Sequence, residues 1–316
     1  MKRKVNRVGQ NTLTVSLPSK WVKEQGIEYG DELSLEEVDE KVIISKNEIA
    51  MKKKEITLNI DNMNYFILSR YGNLLYRNNY SKITFLYTKK ELYDNRHKIY
   101  FPVNHIINRI IGRLIGGEII SQTSNKTIIE CFTSDEKQDL EKVEKRIYFL
   151  IREMMEQLYQ HIDNDFSAFN SVSYDYHDNI CKFTNYFLRE INFSNLSTDY
   201  KRETFSLYII VDKIGDKLRH LGEKINNYGC TPRVKKYIDK IFDLLYSHFE
   251  LLYNIKNISD VVNKRYEIFH SIHEDKFTSD EMQIIVELDI LINVITNFSE
   301  YAIIKEIYKN EKTINF

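Results

Sequence analysis

The spacing of apolar residues changes once along this chain, and that change limits what it can fold into. In the first 130 or so residues short runs of strand period mix with brief helices: Leu13, Val15 and Leu17 of "NTLTVSLP" alternate with Thr12, Thr14 and Ser16, the period of a strand with one buried face. Beyond Thr133 the period becomes helical, and Leu140, Val143, Ile147, Leu150, Met154 and Leu158 make one stripe of an amphipathic helix. The chain is therefore expected to pair a strand-containing first part with an all-helical second part.

After the first strand, "PSKWVKEQG" reads as a short helix, with Pro18 at a favoured first-turn position and Gly26 as its stop. "IEYGDELSL" and "KVIISK" supply a turn and two more strands. A β unit this small buries little surface by itself, and below about 60 residues extra support such as oligomerisation is usual. A homodimer is expected. Trp21, beside Val22 on the short helix, is assigned to packing.

The net charge of -1 removes any whole-chain electrostatic attraction to nucleic acid, so a basic surface has to be local. Lys2, Arg3, Lys4, Arg7, Lys20 and Lys23 precede the first acid, whereas Glu24 to Glu40 holds eight acids and no base. Lys2, Arg3, Lys4 and Arg7 form a basic arm suited to DNA phosphates, with Lys20 and Lys23 at the backbone and the acidic stretch facing away. A solvated charged face has the same composition; what assigns this one is a resemblance. The pattern from Lys2 through "GQNTLTVSLPSKW", "GIEYGDEL" and "VIIS" resembles the SpoVT/AbrB family of swapped-hairpin dimers over residues 1 to 46, which implies double-stranded DNA as a partner.

Residues 55 to 130 read as strand "EITLNI", a helix from about Met63 to Tyr80, strand "KITFLYT", helix "VNHIINRIIGRLIG", and strands "EIISQTS" and "KTIIECFT", a small α/β domain. Gly116 and Gly117 read as a helix stop, because the G-x-x-x-x-G-K-[ST] order that cradles nucleotide phosphates is missing. Six helices follow, near 134 to 163, 171 to 193, 199 to 228, 231 to 257, 259 to 275 and 279 to 308. Thr133 with Glu136 and Thr278 with Glu281 read as capping boxes, and Thr231 with Pro232 as a helix start. The fold class is multidomain: a small all-β swapped-hairpin domain (1–50), a small α/β domain (55–132), and an all-α bundle of two three-helix repeats (133–316).

Cys131, Cys181 and Cys230 fit no redox or zinc spacing, which suits a reducing cytosol. No nucleophile elbow and no HExxH appears, so an enzyme is not expected. With no uncharged apolar run near the roughly 18 residues of a membrane span, and no signal-peptide core, a cytoplasmic protein without membrane insertion is expected.

In "VDKIGDKLRH", Asp212 and Asp216 lie four apart and share one helix face, where two carboxylates can ligate a hard cation. The spacing alone is commonplace in so acidic a chain. "GRLIGGEIISQTSNKTIIECF", the following charged helix and "VDKIGDKLRHLGEKI" resemble the archaeal PhoU-type phosphate uptake regulators, spread over about residues 65 to 305. That resemblance implies a divalent or iron/zinc ion on the helical domain at Asp212 and Asp216. Companion positions fall on His177 and Cys181, with Asp178 nearby, and on Asp289 and Asn293, so several carboxylates of the family motif are replaced. The function implied is a DNA-binding transcriptional regulator of phosphate uptake. The alternative is a PhoU-like adaptor that docks on a phosphate transporter or sensor kinase and uses its first domain only to dimerise. An antitoxin is a third class, against which the long ordered body argues.

Overall fold

The computed structural model describes residues 2–38, 41–46, 54–132, 139–163, 166–194 and 196–309. They form two compact units, Met1–Lys52 and Lys53–Phe316.

In the first unit, β1 (Val5–Val8) and β2 (Thr12–Val15) pair antiparallel, with Val5 opposite Val15 and Arg7 opposite Leu13. α1 (Ser19–Gln25) follows Pro18 and ends at Gly26, whose φ of 56° is left-handed, a conformation open to glycine at no steric cost. β3 (Ser34–Val38) and β4 (Lys41–Ser45) make a second hairpin. The basic arm is thereby shortened: Arg7 lies within a strand, and only Lys2, Arg3 and Lys4 precede β1. No described residue of this unit is buried; Trp21 is only half-covered, and Val5, Leu13 and Val15 are more than half exposed.

The second unit begins with β5 (Lys54–Asn59), α2 (Tyr65–Arg77) and β6 (Tyr80–Leu86), a parallel crossover. Asn64 starts α2 by accepting the Ile67 N–H at 2.9 Å. A hairpin absent from the sequence reading, β7 (Glu91–Asp94) and β8 (Ile99–Pro102), comes next, then α3 (Val103–Ile111), β9 (Gly117–Gln122) and β10 (Lys126–Cys131). The sheet order is β5-β6-β10-β9, and Ile83, Phe85 and Ile129 pack on Leu68, Ile106 and Ile110. α3 stops at Gly112, earlier than expected: Arg113 and Leu114 bond back to Ile110 and Ile111 in a tightened turn. Gly116, at φ 74°, faces Phe132 so closely that a side chain has no room.

The helical part comprises α4 (Leu140–His161), α5 (Ser167–Phe193), α6 (Thr198–Tyr228), α7 (Pro232–Leu251), a 3₁₀ turn (Ile255–Asn257), α8 (Ile258–Glu274), α9 (Ser279–Ile295) and α10 (Asn297–Lys309). α4 to α6 pack on one another, α7 to α9 do the same, and α6 against α9 is the main seam. The stripe on α4 turns inward as its period requires, with Ile147, Leu150, Met154 and Leu158 buried. Thr231 caps α7, and Thr278 with Glu281 forms the capping box of α9. The expected Thr133–Glu136 box lies outside the described residues; Asp139 caps α4. The single last helix is interrupted at Thr296, where Thr296 and Asn297 side chains bond to carbonyls of Ile292, Asn293 and Val294 and compete with the backbone ladder. By length and composition Ser279–Lys309 reaches the membrane-span range, which the sequence reading did not find. Its Leu288, Ile292, Ile295 and Phe298 are fully buried in the bundle core, whereas Met282, Val286 and Ile307 are exposed.

Candidate functional site

The six cations proposed for DNA differ in how free they are. Lys2, Arg3 and Lys4 are exposed with no carboxylate partner among the described residues. The Arg7 guanidinium donates to the Gln10 carbonyl at 3.2 and 2.7 Å, and Lys20 stands 3.8 Å from Glu24 one turn on. Lys23 is exposed in the last turn of α1. Among the acids, Asp31 accepts the Glu28 N–H at 2.9 Å and faces Lys46 at 3.2 Å; the first and then the second hold its carboxyl below the usual range.

The second candidate is built where α5 meets α6. His177 and Cys181, one turn apart on α5, face Asp212 and Asp216, one turn apart on α6. Cys181 Sγ donates to Asp212 Oδ1 at 2.7 Å, and His177 Nε2 lies 3.1 Å from Asp216 Oδ1. Gly215, between the aspartates, permits this approach, because a Cβ there stands 3.2 Å from Ile180 and 3.4 Å from His177. These two helix faces adjoin in space. Asp289 and Asn293 do not join them; Asn293 accepts from Arg265 on α8 at 3.1 Å.

Burial disfavours the His177 imidazolium, but Cys181 and then hydrogen bonds to the carboxylates of Asp178 and Asp216 outweigh it and hold the pKa above the ordinary value. Burial, and then Asp212, pushes the Cys181 thiol up. Burial works against the Asp216 and Asp178 carboxylates too, yet their cationic neighbours depress both. His177, Cys181 and Asp212 each offer one donor atom within 4.8 Å of the others. A nitrogen, a thiolate sulfur and a carboxylate oxygen at that spacing fit a four-coordinate ion of zinc or iron type better than a hard oxygen-seeking cation.

What the sequence reading missed is the arginine shell. Arg113 Nε donates to Asp178 Oδ1 at 3.0 Å, Arg109 Nε approaches Asp178 Oδ2 at 3.4 Å, and Arg77 Nη2 lies 3.7 Å from Asp212 Oδ2. Arg219, 1% exposed, pairs with Asp216 at 3.5 Å and with Glu223. Arg77 Nε also donates to Asn185 Oδ1 at 2.6 Å, while Arg189 and Asn192 of α5 satisfy the last carbonyls of α2, those of Tyr76 and Arg77, at 2.8 and 2.7 Å. These bonds seat the end of α2 on α5. The four-residue spacing of Arg109 and Arg113 is the signal the sequence carries for it.

A family model described as "Antidote-toxin recognition MazE, bacterial antitoxin" matches residues 7–55. The chain therefore carries an N-terminal MazE/AbrB-type domain, a type that implies DNA binding, ahead of a mixed α/β region and a helical bundle. The match leaves Lys2, Arg3 and Lys4 outside it. No curated protein and no solved structure matches the chain.

Proposed function

We propose that this chain is a DNA-binding transcriptional regulator of phosphate uptake, of the PhoU type, acting in the cytoplasm as a homodimer. The observation that carries the DNA half is the first unit itself. It is of MazE/AbrB type, has no buried residue among those described, and exposes Val5, Leu13 and Val15, beside Arg7, on one face of a hairpin that follows Lys2, Arg3 and Lys4. Covering that apolar face with a second copy removes it from water and doubles the cations available to phosphates. The phosphate half is supported by two sets of three helices meeting through their third members, α6 and α9, with acid and acid-replacing positions of the family motif facing each other on α5 and α6. His177, Cys181 and Asp212 hold an ion of zinc or iron type in this reading, the ion supplying fixed positive charge between α5 and α6; elemental analysis of purified protein at less than about 0.1 ion per chain removes it.

The functional test is selection of genomic fragments by the full-length chain, followed by sequencing. Enrichment of fragments upstream of phosphate-transport genes is the expected outcome. Enrichment elsewhere keeps a regulator but ends the phosphate assignment, and no enrichment favours the adaptor. The MazE match favours one second reading, an antitoxin, for which co-expression with the neighbouring gene must relieve growth arrest.

A further inference from the structure

We infer that the pocket between α2, α3, the β7–β8 turn and helices α5 and α6 binds a small phosphate-class oxyanion, hydrogen phosphate in the first place. The pocket has a volume of about 320 Å³, at the lower end of small-ligand sites. Its walls bring together Arg70, Arg96, Arg109, Arg113 and Arg219 from α2, the β7–β8 turn, α3, the turn after α3, and α6.

Acids stand here too, and the proposed ligands His177, Cys181 and Asp212 line the same pocket. Asp212 lies 3.7 Å from Arg77, Asp216 and Glu223 pair with Arg219, and Glu223 also takes Arg96 at 3.4 Å, each engaging only part of a five-donor fork. Asp94 is engaged by His97 Nδ1 at 2.6 Å. Asp178 alone serves both Arg109 and Arg113, and Arg70 has no carboxylate partner among the described residues. Each guanidinium presents five N–H donors in a planar fork whose geometry matches two oxygens of a phosphate. Two of the forks are held in place: Arg109 and Arg219 both lie over the ring of Tyr174, at 5.7 and 5.0 Å from its centre. Arg113 and Arg219 are 13% and 1% exposed at the side chain, so their charge is weakly screened and an anion beside them gains more than it does at a wet surface. A cluster built only for stability gains little from buried charge.

Asp216 sharpens the choice of anion. Its contacts to His177 at 3.1 Å and Arg219 at 3.5 Å run through Oδ1, and as a carboxylate lining the pocket it can only accept. An oxyanion set against a carboxylate has to bring its own proton. Hydrogen phosphate carries one and sulfate at neutral pH carries none. The binding stands on the arginine geometry; its meaning as the effector signal rests on the phosphate-uptake reading.

The test is calorimetric titration of the full-length chain, as purified and after treatment with EDTA, with inorganic phosphate, sulfate and glycerol phosphate as separate ligands. One phosphate per chain is expected, with sulfate at least about tenfold weaker. Arg70→Ala and Arg96→Ala, both at exposed side chains and therefore compatible with folding, are expected to weaken phosphate at least about tenfold each. Asp216→Asn is expected to narrow the phosphate–sulfate gap. Tighter binding of glycerol phosphate supports the pocket and makes a phosphomonoester its source. No binding below about 10 mM phosphate overturns the inference. So does an affinity unchanged in both arginine variants, or binding lost with EDTA but untouched by them, which places the anion on a metal. Sulfate equal to phosphate ends the role of Asp216. Promoter selection can fail while this titration succeeds, and the reverse, so the two proposals fall separately.

Discussion

Neutralising the free part of the basic arm tests the DNA reading with a number attached. The structure narrows the six sequence candidates: Arg7 is tied to the Gln10 carbonyl and Lys20 lies beside Glu24, whereas Lys2, Arg3 and Lys4 have no acid partner among the described residues. In the proposed dimer, Lys2→Ala, Arg3→Ala and Lys4→Ala together delete three positive charges per protomer. At about 0.9 per phosphate contact, the slope of log affinity against log salt is expected to shrink by about 5 if every one of these side chains meets a phosphate. Between about 50 and 200 mM salt that difference amounts to about three decades of affinity that the wild type loses and the variant has already lost. Fluorescence anisotropy of a labelled duplex, at four or five salt concentrations, measures both slopes. Weakening should be nearly uniform across duplex sequences, because phosphate contacts position a protein without reading bases. Slopes that agree within about one unit refute the assignment, and DNA binding then has to run through α1 or the hairpins.

Three further outcomes concern the second unit. His248 is 1% exposed and burial holds its pKa at about 4, below the ordinary 6.5; the unfolded chain takes the proton first, so stability present above pH 6.5 is lost as pH falls towards 4. That loss amounts to about 3 kcal/mol, and urea denaturation across this range should show it in the wild type and a flatter profile in His248→Leu. Glu281→Ala removes the α9 capping box together with bonds from Thr231 at 2.7 Å and Arg233 at 2.8 Å; a loss of about 2–3 kcal/mol is expected by thermal melting. Gly222→Ala puts a methyl group into the ring of fully buried Phe169, with Phe166 3.0 Å away; the roughly 1 kcal/mol gained in helix propensity is outweighed, and net destabilisation of about 1–3 kcal/mol should appear in the same melt.

Local chemistry made much of this legible in advance. The helical stripe on α4, the caps at Thr231 and Thr278, and the stop at Gly26 each depend on residues within one or two turns, so the sequence reading places them. The same holds for Asp212 and Asp216, which share a helix face by spacing alone. Where the reading went wrong, the competing term was also local but finer. Thr296 and Asn297 divert carbonyls of the last helix, and the turn after Gly112 ends α3 early. The β7–β8 hairpin escaped because "ELYDNRHKIYFP" has strands of only four residues, too short for a period to register. The arginine shell was illegible for a different reason: its members come from α2, the β7–β8 turn, α3, the turn after α3, and α6, and no spacing rule links residues as distant as Arg77 and Asp212.

The two units share a feature that bears on function more than on stability. The first has no described buried residue and leaves its apolar hairpin face to solvent, an arrangement that a globular unit completes by covering that face. The second places Arg77, Arg113, Arg219 and His177 in a region largely cut off from water, although replacing buried ion pairs with apolar residues of similar volume is often neutral or stabilising. Neither arrangement is what packing alone favours. In the readings proposed above, each is resolved by something the isolated chain lacks: a second copy and a polyanion for the first, a compact anion for the second. If the pocket is empty at low phosphate and filled at high, the ordering of Arg70 and Arg96 around the anion stiffens the β7–β8 turn against α6, where Arg96 already reaches Glu223 at 3.4 Å. Hydrogen exchange at Asn95, Arg96 and His97, with and without phosphate, should then slow in that turn. An unchanged exchange rate with saturating phosphate means the anion binds without altering the body, and effector and DNA unit are uncoupled.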